Sequence, residues 1–162
     1  MVGQQVVRLK VNFKTLEDFE NFREYGIQEL SMKEDLEENI IENDSESPFY
    51  GIYFGNKLVG RMSLYKINKK FDRYFDPPQD YFELWKLEVL PAYQGKGIGK
   101  SLVDYAKSLG LPIKTNARQQ SDEYWRKMGF EALTYQSERD RGENPYVWFP
   151  KGVKEQLTQE DE

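Results

Sequence analysis

The sequence predicts an α+β domain of three layers, helices on either side of a mixed, largely antiparallel sheet. Three observations carry this expectation. Helical patterns come first, two strand-like runs joined by a short turn follow, and the chain then reads strand, helix, strand, helix, strand. A length of 162 residues suits one domain with a single core. The 10 Phe, 11 Tyr and 3 Trp supply material for that core and argue against disorder. The expected domain occupies residues 1–150, with a polar, mobile tail at 151–162.

The elements read in order. Residues 4–12 alternate around Val6, Val7, Leu9 and Val11 as a first strand. A helix then starts with Thr15 as its cap and Glu17 and Asp18 in its first turn, and Gly26 interrupts or ends it. A second helix covers 31–43, with Met32, Leu36, Ile40 and Ile41 on one face and most of its acids on the other. Residues 49–54 and 58–67 form a hairpin across Gly55-Asn56-Lys57. A long loop at 68–80 precedes the strongest strand, 81–90. A helix at 97–109, a strand at 111–115 and a short helix at 121–128 capped by Ser121 follow. Strands at 130–136 and 146–149, joined by a loop at 138–144, close the domain.

Composition removes several classes of chemistry. Without cysteine there is no disulfide, thiolate metal site or cysteine nucleophile, and without histidine the usual triads and most transition-metal sites are gone. No metal site is expected, and a general base must be Asp, Glu, Tyr, Lys, water or a terminus. A net charge of −5 argues against nucleic-acid binding through overall charge. No apolar run approaches membrane-spanning length and MVGQQVVRLK does not read as a signal peptide, so a cytoplasmic protein with no membrane partner is expected. The charge is uneven. Residues 31–46 hold seven acids and one Lys, a solvated helix face or a wall that attracts a cationic substrate. Residues 61–73 hold five basic residues and one Asp, either solvated or facing a phosphate or a partner.

The stretch that organises the chain is 84–107, LWKLEVLPAYQGKGIGKSLVDYAK. A strand, a glycine turn and a helix in succession can hold an anion. Glycines let backbone N–H groups converge, and a helix N-terminus adds partial positive charge. Gly95-Lys96-Gly97-Ile98-Gly99 is spaced G-x-G-x-G and not as the dinucleotide fingerprint G-x-G-x-x-G. GKGIGKS at 95–101 is one residue short of an NTPase loop. A loop that is glycine-rich for turn geometry alone is the remaining plain reading.

Leu87-Glu88-Val89-Leu90-Pro91 followed by Gln94-Gly95-Lys96-Gly97-Ile98-Gly99 resembles the GNAT superfamily of N-acetyltransferases, whose signature is [RQ]-x-x-G-x-[GA] after an L-x-V-x-P strand end. SDEYWRKMGF at 121–130 resembles that superfamily's second signature, N-x-x-S-x-x-F-Y-x-x-x-G-F. ELWKLEVLP and GENP also resemble small N-acetyltransferases of Bacillus-type bacteria. The resemblance implies a GNAT-like fold whose sheet splays at the cofactor strand. It implies acetyl-CoA as cofactor, an amine-bearing acceptor, and a monomer or homodimer. The pyrophosphate of coenzyme A would sit on the backbone of Gln94, Gly95, Lys96, Gly97, Ile98, Gly99 and Lys100. The pantetheine arm would add to the strand at Leu87 and Val89. Asn116, Arg118, Ser121, Tyr124 and Trp125 would flank it.

Acetyl transfer to an amine needs a base, a stabiliser for the thioester oxygen and a route for the leaving thiolate. Glu83 lies eleven residues before Gln94, the offset of a glutamate base in the histone-acetylating branch of the superfamily. Glu88 is the second candidate, and either carboxylate can instead be paired with Lys86, Arg61 or Lys66. Val89 N–H is the implied oxygen donor. Trp125 stands where the superfamily commonly has an acidic Tyr and has no proton to give a thiolate, while Tyr124 is turned about 100° away on a helix. Arg118 stands where the signature has Asn, with Asn116 two residues earlier. A protein that binds or senses acyl-CoA with weak or no turnover is therefore the alternative to an enzyme.

Overall fold

The computed structural model describes residues 5–22, 32–33, 36–37, 47–117 and 121–151. Helices are found among them beside a seven-stranded sheet, whose order is β1 (Val7–Arg8), β2 (Phe49–Phe54), β3 (Lys57–Ile67), β4 (Tyr81–Val89), β5 (Ile113–Asn116), β7 (Pro145–Trp148) and β6 (Glu131–Ala132). The sheet is mixed, as expected: β4 and β5 are parallel, and the β1/β2, β2/β3, β5/β7 and β6/β7 pairs are antiparallel.

β1 is Val7–Arg8, shorter than the alternation at 4–12 suggests. Only these two residues register with β2, and the chain then turns into α1, Phe13–Glu20. The α1 cap is Asn12 and not Thr15. Asn12 is extended and its Oδ1 accepts the Thr15 N–H at 2.9 Å, which leaves Thr15 buried inside the first turn. Of the second expected helix, Met32, Lys33, Leu36 and Glu37 are helical, with Met32 and Leu36 fully buried. Gly26, the rest of 31–43, most of the acidic run and the 152–162 tail lie outside the described residues.

β2, Phe49–Phe54, and β3, Lys57–Ile67, form the expected hairpin across Gly55 and Asn56, where Gly55 takes φ +61°. The 68–80 loop contains a 3-10 turn, Lys69–Phe71, and leads to β4, Tyr81–Val89. A second 3-10 turn, Pro91–Tyr93, precedes α2, Ile98–Ser108. Ile98, Leu102, Val103 and Ala106 of α2 are buried, the apolar face that the sequence spacing indicates. β5 is Ile113–Asn116 and α3 is Asp122–Lys127. Ser121 occupies the α3 cap position but makes no side-chain cap bond, because its φ/ψ of −106°/3° is not the extended shape that capping uses. The expected strand at 130–136 shrinks to β6, Glu131–Ala132. The loop after it holds a one-turn helix, α4, Ser137–Asp140, before β7, Pro145–Trp148. Among the described residues no helix is long and apolar enough to cross a membrane.

The chain groups into two compact units. One comprises Met1–Ser63 with Lys86–Leu102, the other Leu64–Trp85 with Val103–Glu162. In the first, Gly60 of β3 carries the contact with α2. A Cβ there would lie 2.6 Å from Ile98 Cγ2 and 3.3 Å from Leu102 Cδ1. Neither branched side chain has room to give, so the helix that follows the glycine loop packs where it does because residue 60 has no side chain. In the second unit Asp140 is buried and satisfied. It accepts the Gln136 N–H at 2.8 Å and Arg139 Nε at 2.7 Å. The Arg139 hydrogen bond, with smaller help from Gln136 and Lys114, holds its carboxyl below the ordinary value near 3.8 despite burial.

Two expected outcomes follow. Gly60→Ala overpacks the β3–α2 contact and costs about 1–3 kcal/mol in urea unfolding. Asp140→Asn costs about 1–3 kcal/mol at neutral pH. Because the folded pKa is depressed, the carboxylate's contribution is full above the unfolded value and is lost as pH falls through the lower folded one. The gap between wild type and Asp140→Asn in thermal melts should therefore narrow on acidification below about pH 4.

Candidate functional site

The first unit contains the glycine loop and the end of β4. Gln94 closes the Pro91–Tyr93 turn, and its Nε2 donates to the Val89 carbonyl at 3.0 Å, tying the loop to the strand before it. Gly95 and Gly97 take φ +78° and +82°, and a Cβ on either would meet nothing within 4 Å. Glycine is needed there for its backbone conformation and not for space. Gly95, Lys96 and Gly97 are exposed, while Ile98 is anchored in the core as the first residue of α2. Gly99 and Lys100 complete the first turn of that helix, and both Ser101 N–H and Ser101 Oγ donate to the Gly97 carbonyl at 3.0 Å. An exposed, helix-anchored loop of this kind can bind an anion through backbone N–H groups. Two ammonium groups stand beside it, Lys57 and Lys96, 5.7 Å and 5.8 Å from the Tyr93 ring centre.

β4 changes its hydrogen-bonding sense along its length. Near its start Phe82 N–H donates to the Pro112 carbonyl at 2.9 Å, and the Leu84 carbonyl accepts Thr115 Oγ1 at 2.8 Å. Even-numbered residues there face β5. Further on, Lys86 N–H donates to Ser63 Oγ at 3.1 Å and Leu90 N–H to the Val59 carbonyl at 2.9 Å, so even-numbered residues face β3. A strand with an unbroken two-residue repeat cannot do both, and an extra residue is accommodated between Leu84 and Lys86, as in a β-bulge. Registered pairing with β5 spans only Phe82↔Ile113, Glu83↔Lys114 and Leu84↔Thr115. Past the bulge the backbone groups of Leu87 and Val89 are directed away from β3, beyond the last β5 residue in register.

Glu88 projects toward Arg61 of β3, and Arg61 Nη2 lies 3.0 Å from Glu88 Oε1. Arg61 is fully buried, its guanidinium 4.7 Å and 4.4 Å from the ring centres of Phe19 and Phe22. Of the three partners the sequence offered for a strand carboxylate, Glu88 takes Arg61.

The second unit contains Glu83 and the remaining candidates. Glu83 is half-buried, and its Oε2 is 3.9 Å from Nζ of Lys114, a buried residue of β5 whose ammonium also lies 4.5 Å from the Tyr74 ring centre. Desolvation, with a smaller push from Glu83, raises the Tyr81 phenol above its ordinary range. Asn116 ends β5 and its Nδ2 donates to Glu143. Ser121 precedes α3. Trp125 is buried and edge-on to Phe130, ring centres 5.0 Å apart, so it serves the core. Tyr124 is exposed beside it, its phenol raised by desolvation and by the Asp104 charge. Arg118 lies outside the described residues. The sequence reading missed Lys114 and Gly60. A glycine inside a strand pattern is a signal of close backbone approach, whereas nothing local marks Lys114 as the partner of Glu83.

Comparison with known proteins gives a consistent result. Residues 13–130 match the acetyltransferase (GNAT) family. An uncharacterized N-acetyltransferase of Halalkalibacterium halodurans is 72% identical over 157 residues, 97% of this chain and 93% of that protein. The crystal structure of the Bacillus subtilis N-acetyltransferase YlbP in complex with coenzyme A superposes with a TM-score of 0.76 at 61% identity, covering 91% of this chain and 97% of that one. PaiA N-acetyltransferase from Thermoplasma acidophilum, also solved with coenzyme A, is 19% identical with a TM-score of 0.61 over 90% of this chain and 98% of its own, and shares the fold.

Gly55 and Gly97 both have positive φ in open surroundings, but of the two only Gly97 is in the 94–100 loop. Alanine at either should cost about 1–2 kcal/mol in denaturant unfolding. Calorimetric titration with inorganic pyrophosphate should show weaker binding for Gly97→Ala alone.

Proposed function

Because this chain belongs to the acetyltransferase (GNAT) family, we propose that it moves an acetyl group from acetyl-CoA to a primary amine by direct transfer. The observation that carries the reading is the junction of β4 and α2. An exposed loop with two positive-φ glycines starts a helix, and directly before it a strand turns backbone groups away from its neighbour. That combination suits a ligand with a pyrophosphate and an amide-bearing arm. The coenzyme A complex of YlbP, 61% identical to this chain, supports the same assignment.

Each residue then has a task. The N–H groups of the 94–100 loop hold the pyrophosphate, with Lys96 and Lys100 adding positive charge. Gln94 keeps the loop in place through the Val89 carbonyl. Leu87 and Val89 offer backbone groups to the pantetheine amides, and Val89 N–H meets the thioester oxygen as charge develops on it. By the family resemblance Asn116, Arg118, Ser121 and Tyr124 remain candidates for contacts with coenzyme A. Glu83 takes the proton from the attacking amine, with the Lys114 ammonium beside it. Glu88 is already engaged by Arg61, which favours Glu83 for this step. Trp125 packs in the core and donates nothing to sulfur, so the thiolate leaves unassisted or takes a proton from water.

The test is calorimetry with coenzyme A combined with thiol release from acetyl-CoA over a panel of amines. Coenzyme A binding with amine-dependent thiol release is expected. Binding with no release above hydrolysis would overturn the transfer reading in favour of an acyl-CoA-binding protein. Glu83→Gln should lower turnover about 10²–10⁴-fold with coenzyme A affinity unchanged, and full turnover would remove Glu83 from the base role.

A further inference from the structure

Glu88 is held by one oxygen only. Oε1 pairs with Arg61, while Oε2 is buried and accepts no hydrogen bond among the described residues. A buried carboxylate oxygen without a donor is costly, and in a native structure it calls for a compensating partner such as a bound ligand, an ion or an ordered water. The side chain as a whole is 14% exposed while Oε2 itself is buried, so a donor that reaches Oε2 displaces the groups that cover it. Its partner is fixed in place. The Arg61 guanidinium lies against Phe19 and Phe22 and reaches the Phe19 carbonyl at 3.5 Å, which prevents the carboxylate from following its cation elsewhere. Glu88 also lies between Leu87 and Val89, the two residues whose backbone groups turn away from β3.

We propose that Glu88 is a specificity-determining residue. Its Oε2 accepts a hydrogen bond from a second N–H group on the acceptor, apart from the amine that is acetylated. Arg61 is the positioning residue that presents this oxygen. This rests on the acetyl-transfer reading and narrows its substrate class to amines that carry a further ammonium or amide N–H. A simple alkylamine leaves Oε2 as it is in the unliganded protein and gains nothing there. The attacking nitrogen must be neutral when it reacts, so a carboxylate already bound to Arg61 is better used to orient the molecule than to take its proton. Glutamine at 88 tests the idea at constant volume. Its carbonyl can keep the Arg61 bond while its NH₂ puts a donor where Oε2 was an acceptor.

The experiment is calorimetry on the protein loaded with coenzyme A, using three amines of equal chain length. These are 1-aminopentane, 1,5-diaminopentane for an ammonium donor and 5-aminopentanamide for an amide donor. At least one of the two-headed probes should bind about tenfold or more tightly than 1-aminopentane. Glu88→Gln should abolish that preference with coenzyme A affinity near wild type, and its melting temperature should fall because the buried Arg61 loses its counter-charge. The stronger of the two probes tells which donor the site takes. Equal binding of all three amines by wild type, or an intact preference in Glu88→Gln, would overturn the proposal. Because the readout is binding, absence of thiol release with every amine would count against acetyl transfer and leave the ranking of the probes to judge Glu88.

Discussion

The half-way change in β4 is the constraint on which the rest depends. A β-strand has two edges, and in a regular sheet both are consumed by neighbours. By taking in one residue between Leu84 and Lys86, β4 satisfies β5 with its first half and β3 with its second. The backbone groups of Leu87 and Val89 then turn away from β3, and the Val89 carbonyl accepts Gln94 Nε2. A sheet normally protects or covers such an edge, because unpaired N–H and C=O groups invite association. Here the chain continues straight into the glycine loop, so this edge and the loop belong to one continuous segment.

The rest of the first unit supports that segment. Gly60 lets α2 come down on β3, and Ile98 anchors the start of the helix at the point where the loop ends. Gln94 fixes the other end of the loop to Val89. The loop is thereby held at both ends while its own backbone stays exposed. Rigid supports around an open backbone reduce the ordering cost of binding.

Much of this could be read from the residues. The hairpin, β4, the glycine loop and α2 follow from alternation, turn residues and helical spacing, which are local signals. The family signatures singled out the 94–100 loop and its neighbours without help from packing. What could not be read depends on partners far away in sequence. Asn12 and Thr15 are both good caps three residues apart, and only the position of the first turn decides between them. The pairing of Glu88 with Arg61 spans 27 residues and was one of several possibilities. The shift in β4 leaves no compositional mark, because Trp85 and Lys86 fit a strand on either side of it. The short helix before β7 depends on Asp140 gathering the Gln136 N–H and Arg139, a closed set of contacts hidden in a polar loop.

The grouping of the chain has a consequence for its synthesis. The first unit needs residues 86–102 as well as 1–63, and the second needs residues from both 64–85 and the stretch after 102. Neither unit is a continuous piece of chain. On the ribosome the N-terminal hairpin can form early, but its unit is incomplete until the glycine loop and the first turn of α2 have emerged. Completion of the first unit therefore follows directly on the appearance of the 94–100 loop. The same interleaving means that a chain ending before residue 86 lacks both the 94–100 loop and a complete first unit, although it already carries residues of the second.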